Sequence, residues 1–384
     1  MDNAGTIAVV FHNCPLGGTE RIAIRLMNQW AKVGRKVVVL CGALSGPLVS
    51  MIGENIEVVE CVPSIPRGLG SRWKIGRAIG PFLKEFRPDV LFVPGNYEWM
   101  VLPHVAALPH DWRPAVVTQV STPLYRHGRG PFVQILFNCM IRYLLRCVDT
   151  VIALSPLTVG QADKVIGRPI TTCIRLPAID DSAVTSLTKP AGFSILAAGR
   201  LVKAKGFEVA LRALAKISNQ NVNLVILGEG PNRNKLELLA RELNVSDRVR
   251  FVGYVPDISP WLEQCRVFLL SSYYEGYGAV ILEALARGRP VVCTDCSPAV
   301  GDLIRGIDNC SVAPIGDPQA LALALEQVLF AAIPDPAALA NAVEPYRLGP
   351  IAAEYLDVFD RAHIRRVKRL RLSPRIPDSA EVVA

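Results

Sequence analysis

Short apolar runs alternate with amphipathic stretches along this chain, and that alternation restricts the folds open to it more than any other feature. Residues 7–11, 36–41, 56–61, 90–93, 115–120 and 150–154 are rich in Val, Ile and Leu. Runs that short, with few polar interruptions, read as strands buried on both faces. Helical stretches fall between several of them, which argues for an α/β chain with a doubly wound parallel sheet. A second set begins near Phe193, and 384 residues suit two such domains. The expected division is a first domain over 1–188 and a second over 189–349. A linker falls within 177–190, a closing helix covers about 350–372, and a tail covers 373–384.

Three loops in the second half carry chemistry. In the first, a strand over 267–270 leads through a Gly-bearing turn into a helix over 279–287, so Glu275-Gly276-Tyr277-Gly278-Ala279-Val280-Ile281-Leu282-Glu283 spans strand end, turn and helix. Amides at a helix N-terminus face outward, and the dipole there favours an anion. Glu275 would repel that anion and suits the sugar hydroxyls beside it; Glu283, two turns on, suits a ribose diol. Taken alone, the two carboxylates also read as a helix cap and a solvated charge. A hydrolytic carboxylate pair is disfavoured, because eight residues of helix span about 12 Å.

The second loop, Gly199-Arg200-Leu201-Val202-Lys203-Ala204-Lys205-Gly206, joins a strand over 193–198 to a helix over 207–217. Its glycines let backbone approach a ligand, and Arg200 and Lys205 can neutralise a diphosphate whose charge grows as it leaves. The third, Gly228-Glu229-Gly230-Pro231, follows the strand 224–227 but lacks the spacing of a dinucleotide fingerprint.

Together with Phe251-Val252-Gly253-Tyr254-Val255 and Pro290-Val291-Val292-Cys293-Thr294-Asp295, these loops resemble the carboxyl half of family-4 (group 1) glycosyltransferases, which are retaining, nucleotide-sugar-dependent enzymes. The resemblance implies the GT-B fold, two facing Rossmann-like domains with a cleft between them. It implies that Arg200 and Lys205 hold the donor diphosphate, that Glu275 contacts the transferred sugar and Glu283 the ribose, and that amides near Tyr277, Ala279 and Val280 meet phosphate and sugar oxygens. It further implies that the leaving phosphate itself takes the acceptor's proton, so that the protein chiefly stabilises charge.

The amino half fits the same resemblance. The strand 7–11 is followed by Gly17-Gly18-Thr19-Glu20 and a helix, similar to the family's Gly-Gly loop facing the donor phosphates and the acceptor. One departure stands out. Many members place a His after the fourth or fifth strand, whereas here the strand 115–120 runs into Ser121-Thr122-Pro123-Leu124-Tyr125-Arg126-His127. Gln119, Ser121, Thr122, His127 and His12 are the candidates for acceptor or sugar contacts, and no general base is singled out.

Net charge is +8, and residues 1–190 hold +7 of it, with 20 basic against 13 acidic residues. Residues 71–86 form an amphipathic helix in which Arg72, Trp73, Lys74 and Arg77 suit an anionic membrane surface. A second apolar helix over 131–146 is edged by Arg142 and Arg146, and a basic run from Arg361 to Arg371 offers further contact. Each helix also reads as a core helix with a solvated basic side. No helix-turn-helix, zinc-finger or aromatic-studded sheet pattern supports nucleic acid as a partner.

Ten cysteines lie scattered with no secreted-domain framework, and the start has neither a basic leader nor an apolar run long enough to export or anchor it. The expected location is therefore cytoplasmic, at the inner face of the membrane. Cys293-Thr294-Asp295-Cys296 has redox spacing but ends a buried strand, where a structural role is expected. No metal-ligand spacing or Asp-x-Asp motif is present, so no metal and no cofactor is expected beyond a UDP- or GDP-linked sugar substrate. The expected activity is transfer of a sugar to a membrane-associated, lipid-linked saccharide in polysaccharide or lipopolysaccharide assembly. The alternatives are a nucleotide-sugar epimerase, a soluble glucan or sugar-phosphate glycosyltransferase, and a catalytically silent binding protein.

Overall fold

A computed structural model describes residues 3–122, 124, 130–181, 192, 194–332 and 334–372. Residues up to Ile174 together with those from Ala352 form one compact unit, and Arg175–Ile351 form the other. The division falls ahead of the boundary expected at 188 because the chain after Ile174 is bonded to the second unit. Ile179 bridges to Arg347, Arg347 donates to the carbonyl of Asp180 at 3.0 Å, and the amide of Gly349 donates to Asp181 at 2.9 Å. The rest of the expected linker and the expected tail lie outside the described residues.

The first unit holds strands β1 (Thr6–Phe11), β2 (Lys36–Cys41), β3 (Ile56–Glu60), β4 (Val90–Val93), β5 (Ala115–Val120), β6 (Thr150–Ala153) and β7 (Thr171–Cys173). They pair in parallel in the order β3-β2-β1-β4-β5-β6-β7. Helices cover both faces, which is why β4 and β5 are buried at every residue and read as unbroken apolar runs. On one face the helix Ser71–Phe86 buries Ile75, Ile79, Phe82 and Leu83 against Val38, Leu40, Leu91 and Val93. The other face carries an aromatic cluster. Trp30 lies 5.6 Å from Phe92 and 5.0 Å from Phe359, and its indole N–H donates to the carbonyl of Ala352 at 3.1 Å. The closing helix, Leu348–Leu372, is thereby held to this unit from Ala352 on, with Arg35 paired to Asp360 at 2.8 Å.

The second unit holds β8 (Ser194–Ala198), β9 (Asn223–Leu227), β10 (Val249–Gly253), β11 (Val267–Leu270), β12 (Val291–Thr294) and β13 (Ser311–Ala313), parallel in the order β10-β9-β8-β11-β12-β13. Its core interlocks Leu211 and Leu214 of the helix Phe207–Lys216 with Ile195, Leu224, Leu269 and Leu325. Each sheet has one place where neighbouring strands are not consecutive in sequence: β1 beside β4, and β8 beside β11. The crossovers on the two sides of such a junction run to opposite faces, which leaves a crevice at the carboxyl ends of the strands where open α/β sheets take ligands.

Candidate functional site

In the second unit that junction is built from the loops after β8 and β11. The amide of Gly199 donates to Leu227 O at 2.9 Å and that of Leu201 to Glu229 O at 2.9 Å, so the chain leaving β8 stays clamped to the loop after β9. Two glycines make this nesting possible. Gly228 has φ +132°, and a Cβ there would lie 2.0 Å from Gly199 O; Gly206 has φ +60°, and a Cβ there would lie 2.1 Å from Ser271 O. Gly230 packs on Leu201, where a Cβ would lie 2.5 Å from Leu201 O. The glycines noted in the sequence thus bring backbone against backbone, and through it they set where the charged side chains sit.

A 3-10 turn, Lys203–Lys205, precedes Gly206 and directs Lys205 toward β11. Its ammonium donates to Oε1 of Glu275, and the hydroxyl of Ser272 donates to the same oxygen at 2.8 Å. The backbone around them is fixed from both sides. Ser271 Oγ donates to Lys205 O at 3.1 Å, Tyr273 N to Ala204 O at 2.9 Å, and Thr294 Oγ1 to Ser272 O at 2.5 Å. Lys205 and Glu275 keep side-chain exposures of 26% and 12%, so the pair borders solvent. The Lys205 stem runs beside Gly199, whose Cβ would sit 3.5 Å from Lys205 Cε. Arg200 is exposed and makes no side-chain hydrogen bond or ion pair with a described residue. Ser272 had no motif to announce it; its position three residues before Glu275 is the only local signal.

Gly278, with φ +72°, caps the helix Ala279–Ala286, which is buried along Ile281, Leu282, Ala284 and Leu285. Gly276, Tyr277, Ala279, Val280 and Glu283 are half-buried. Glu275 lies four residues ahead of the helix, so a rise per helical residue does not measure its separation from Glu283, and the 12 Å argument against a hydrolytic pair does not apply. What the structure offers instead is that Glu275 is engaged by a cation and a hydroxyl. The Cys293 and Cys296 thiols are free and buried, and burial raises both, Cys296 to about 11, so neither is a ready thiolate.

In the first unit the junction lies between the ends of β1 and β4. Gly17 caps the helix Gly18–Lys32, with Glu20 folded back over it, and Gly18 faces open space. His12, just past β1, is 1% exposed, and among the described residues neither ring nitrogen has a hydrogen-bond partner. Burial lowers its pKa, helped by Arg67 and Arg72. The backbone at Pro66 and Ile65 pulls the other way but makes no well-formed hydrogen bond to the ring. Ser121 and Thr122 are half-buried, and their amides donate to Asn96 Oδ1 at 2.8 and 3.2 Å. Gln119 has a different task from the sugar contact expected of it. It is 3% exposed and accepts a hydrogen bond from Tyr355 Oη at 2.6 Å, which ties β5 to the closing helix. His127 lies outside the described residues. Glu98, in the turn after β4, went unnoticed in the sequence because one acid in a loop makes no pattern; it is 7% exposed, with Oε2 unpartnered.

The two helices expected at a membrane present different surfaces. In Ser71–Phe86 Ile75, Ile79, Phe82 and Leu83 are spent on the core, while Trp73, edge-on to His104 at 4.2 Å, stays exposed with Lys74 and Arg77, and Arg72 stacks over Tyr97 at 5.1 Å. In Pro131–Leu144 only Ile141 and Leu144 are buried, while Phe132, Ile135, Leu136, Met140 and Tyr143 form an exposed apolar stripe. Arg142 is turned inward to Val165 O, and of the terminal basic run Arg366 and Arg369 bind Arg113 O and Asp149 of the first unit. Among the described residues no helix is long and apolar enough to cross a membrane, and no three His, Cys, Asp or Glu side chains are grouped to hold a metal ion.

The chain is similar to known proteins in sequence and fold. The family model described as glycosyl transferases group 1 matches residues 185–342, and that described as glycosyltransferase family 4 matches residues 16–172. The lipopolysaccharide core biosynthesis glycosyltransferase LpsE of Rhizobium meliloti is 40% identical over 135 residues, 35% of this chain and 39% of that protein. The N-acetylgalactosamine-N,N'-diacetylbacillosaminyl-diphospho-undecaprenol 4-alpha-N-acetylgalactosaminyltransferase of Campylobacter jejuni is 28% identical over 189 residues, 47% of this chain and 50% of that protein. These matches span half or less of the relatives' length. Among solved structures, Anabaena HepE in complex with UDP and glucose has a TM-score of 0.69 at 18% identity, covering 95% of this chain and 99% of that one. That likeness is one of fold, the two-domain α/β arrangement known as GT-B.

Proposed function

Because this chain belongs to the group 1, family-4 glycosyltransferases, we propose that it moves a hexose from a UDP- or GDP-linked donor to a lipid-linked saccharide, retaining the anomeric configuration and needing no bound metal. The setting is assembly of a bacterial surface polysaccharide or lipopolysaccharide, in keeping with the names of the relatives from Rhizobium meliloti and Campylobacter jejuni. One observation carries the reading: Lys205 and Glu275 meet at the junction of β8 and β11, with Arg200 exposed on the same loop.

The chemistry follows from those positions. When the bond from sugar to diphosphate breaks, negative charge grows on the leaving phosphate. Lys205 and Arg200 are the cations placed to stabilise it, and that stabilisation is worth most when the groups are already oriented. Ser272 and Lys205 hold Glu275, leaving it oriented to accept hydrogen bonds from the hydroxyls of the transferred sugar. Glu283 takes the ribose, and amides from Tyr277 to Val280 take phosphate oxygens at the start of the helix Ala279–Ala286. In the first unit Gly18 keeps the loop after β1 free of a side chain, and in the second Gly199, Gly228, Gly230 and Gly278 shape the loops at the β8/β11 junction.

The enzyme works in the cytoplasm at the inner membrane face, held there by the exposed stripe of Pro131–Leu144 entering the headgroup region and by Arg146 beside it. Release of UDP or GDP from a panel of donors, with and without a bacterial lipid extract and with EDTA, tests the proposal, and the anomer of the product tests retention. Turnover only with lipid present and undiminished by EDTA is expected. Donor isomerisation without an acceptor points to an epimerase, activity only on soluble glycans to the soluble alternative, and tight binding with no turnover to a silent binding protein.

A further inference from the structure

We propose that the end of the first sheet carries a binding site of its own, built from His12, Glu98, Arg67 and Arg72, for a carbohydrate bearing an anionic group, either a phosphate or a carboxylate. The inference rests on the preceding reading only for the ligand's role, which is the acceptor rather than the donor.

Topology supplies the place. His12 follows β1 and Glu98 follows β4, and these neighbouring strands form the junction of the first sheet. Polarity supplies the reason. Both ring nitrogens of His12 and Oε2 of Glu98 are buried with no hydrogen-bond partner among the described residues. A folded chain forfeits the hydration of such groups, and an unpaired set of them at a ligand-binding junction is accounted for by a molecule that completes the bonds. Hydroxyls suit them best, since a hydroxyl both donates and accepts.

Charge supplies the rest. Arg67 and Arg72 both act on His12 and on Glu98, so the two unpartnered groups share one pair of guanidiniums. Arg67 is paired with Glu20 at 3.0 Å, while Arg72 only stacks on Tyr97 and makes no side-chain hydrogen bond or ion pair with a described residue. A planar donor fork left open beside hydroxyl-seeking groups suits a phosphate or carboxylate carried on a sugar. Burial also raises the Glu98 carboxyl to about 7, so near neutrality it carries only part of the negative charge that would repel such a ligand.

Titration calorimetry of the full chain tests this without any need for turnover. The probes are mannose 6-phosphate, glucuronate, mannose, inorganic phosphate and UDP or GDP. At least one of the two anionic sugars should bind more tightly than mannose and than inorganic phosphate, and which one does identifies the anionic group. Arg72→Met and Glu98→Gln should each weaken it about tenfold or more while leaving nucleotide binding unchanged. Arg72 lies half-exposed, so its variant keeps the test valid if the buried one does not fold. Equal binding of mannose and the anionic sugars, binding of phosphate alone as tight as that of mannose 6-phosphate, or affinity unmoved by Arg72→Met overturns the proposal. Loss of UDP and GDP binding in the wild type would instead strike at the donor reading.

Discussion

The two sheets end in equivalent junctions that are finished in opposite ways. At the β8/β11 junction Lys205, Glu275 and Ser272 satisfy one another, and glycines press three loops into a single bonded surface. At the β1/β4 junction buried polar atoms of His12 and Glu98 are left unmatched among the described residues. The same contrast recurs away from the junctions, since the first unit exposes a whole apolar face on the helix Pro131–Leu144, whereas the exposed apolar residues of the second, such as Leu238, Leu323 and Phe330, lie scattered. A pre-bonded junction suits a ligand common to many enzymes, a diphosphate. An unfinished one suits the partner that distinguishes one enzyme from another.

Substitutions can break this contrast. The largest effect belongs to the bonded junction: Lys205→Ala and Arg200→Ala should each lower nucleotide release roughly a hundred- to a thousandfold. Arg200→Ala should leave the melting temperature unmoved, because that side chain has no partner to lose among the described residues.

Next comes the backbone nesting. Gly206→Ala forces a Cβ onto Ser271 O at a left-handed φ and should cost about 3 kcal/mol in urea unfolding. Gly18→Ala, with nothing within 4 Å, should cost well under 1 kcal/mol. Equal losses at the two sites would remove the distinction between the loops.

The unfinished junction is sharpened by pH. Burial raises Glu98 from 4.5 to about 7, so its contribution to stability is present in full below its unfolded value and is lost as pH rises through 7. Glu98→Gln should therefore be more stable than wild type at pH 8, by on the order of 2 kcal/mol in urea unfolding, with the difference closing toward pH 5. A difference independent of pH would show that the carboxyl is not the titrating group. The smallest effect concerns the helices. Leu136→Ser should weaken flotation with anionic vesicles about tenfold, whereas Trp73→Ala, whose ring is packed on His104, should change it little.

Much of the scaffold was legible before any coordinates. Ten of the thirteen described strands were marked within a residue or so of their ends, all but β7, β10 and β13, and the helix Ser71–Phe86 at its observed limits, because a buried parallel strand and an amphipathic helix each impose a period on the chain. The loops holding Lys205 and Glu275 were legible too, since glycine at a strand end is a local demand. Gln119 was misjudged for the opposite reason. Its partner Tyr355 is 236 residues away, and nothing near a strand end says which groups will be covered by a helix from the end of the chain. Glu98 and Ser272 were passed over because each is one polar residue in a turn, conspicuous only once its neighbours are known.

The sequence by itself determined the alternation of strand and helix, the left-handed glycine turns and the charge of each loop, for these follow from short-range sterics and hydrophobic period. Only the tertiary structure decided which loops share a junction, that Lys205 lies on Glu275, that buried polar atoms of His12 and Glu98 lack partners among the described residues, and which helix keeps its apolar face uncovered. Those outcomes depend on strand order and burial, where residues far apart in the chain compete for the same space and the same hydrogen bonds.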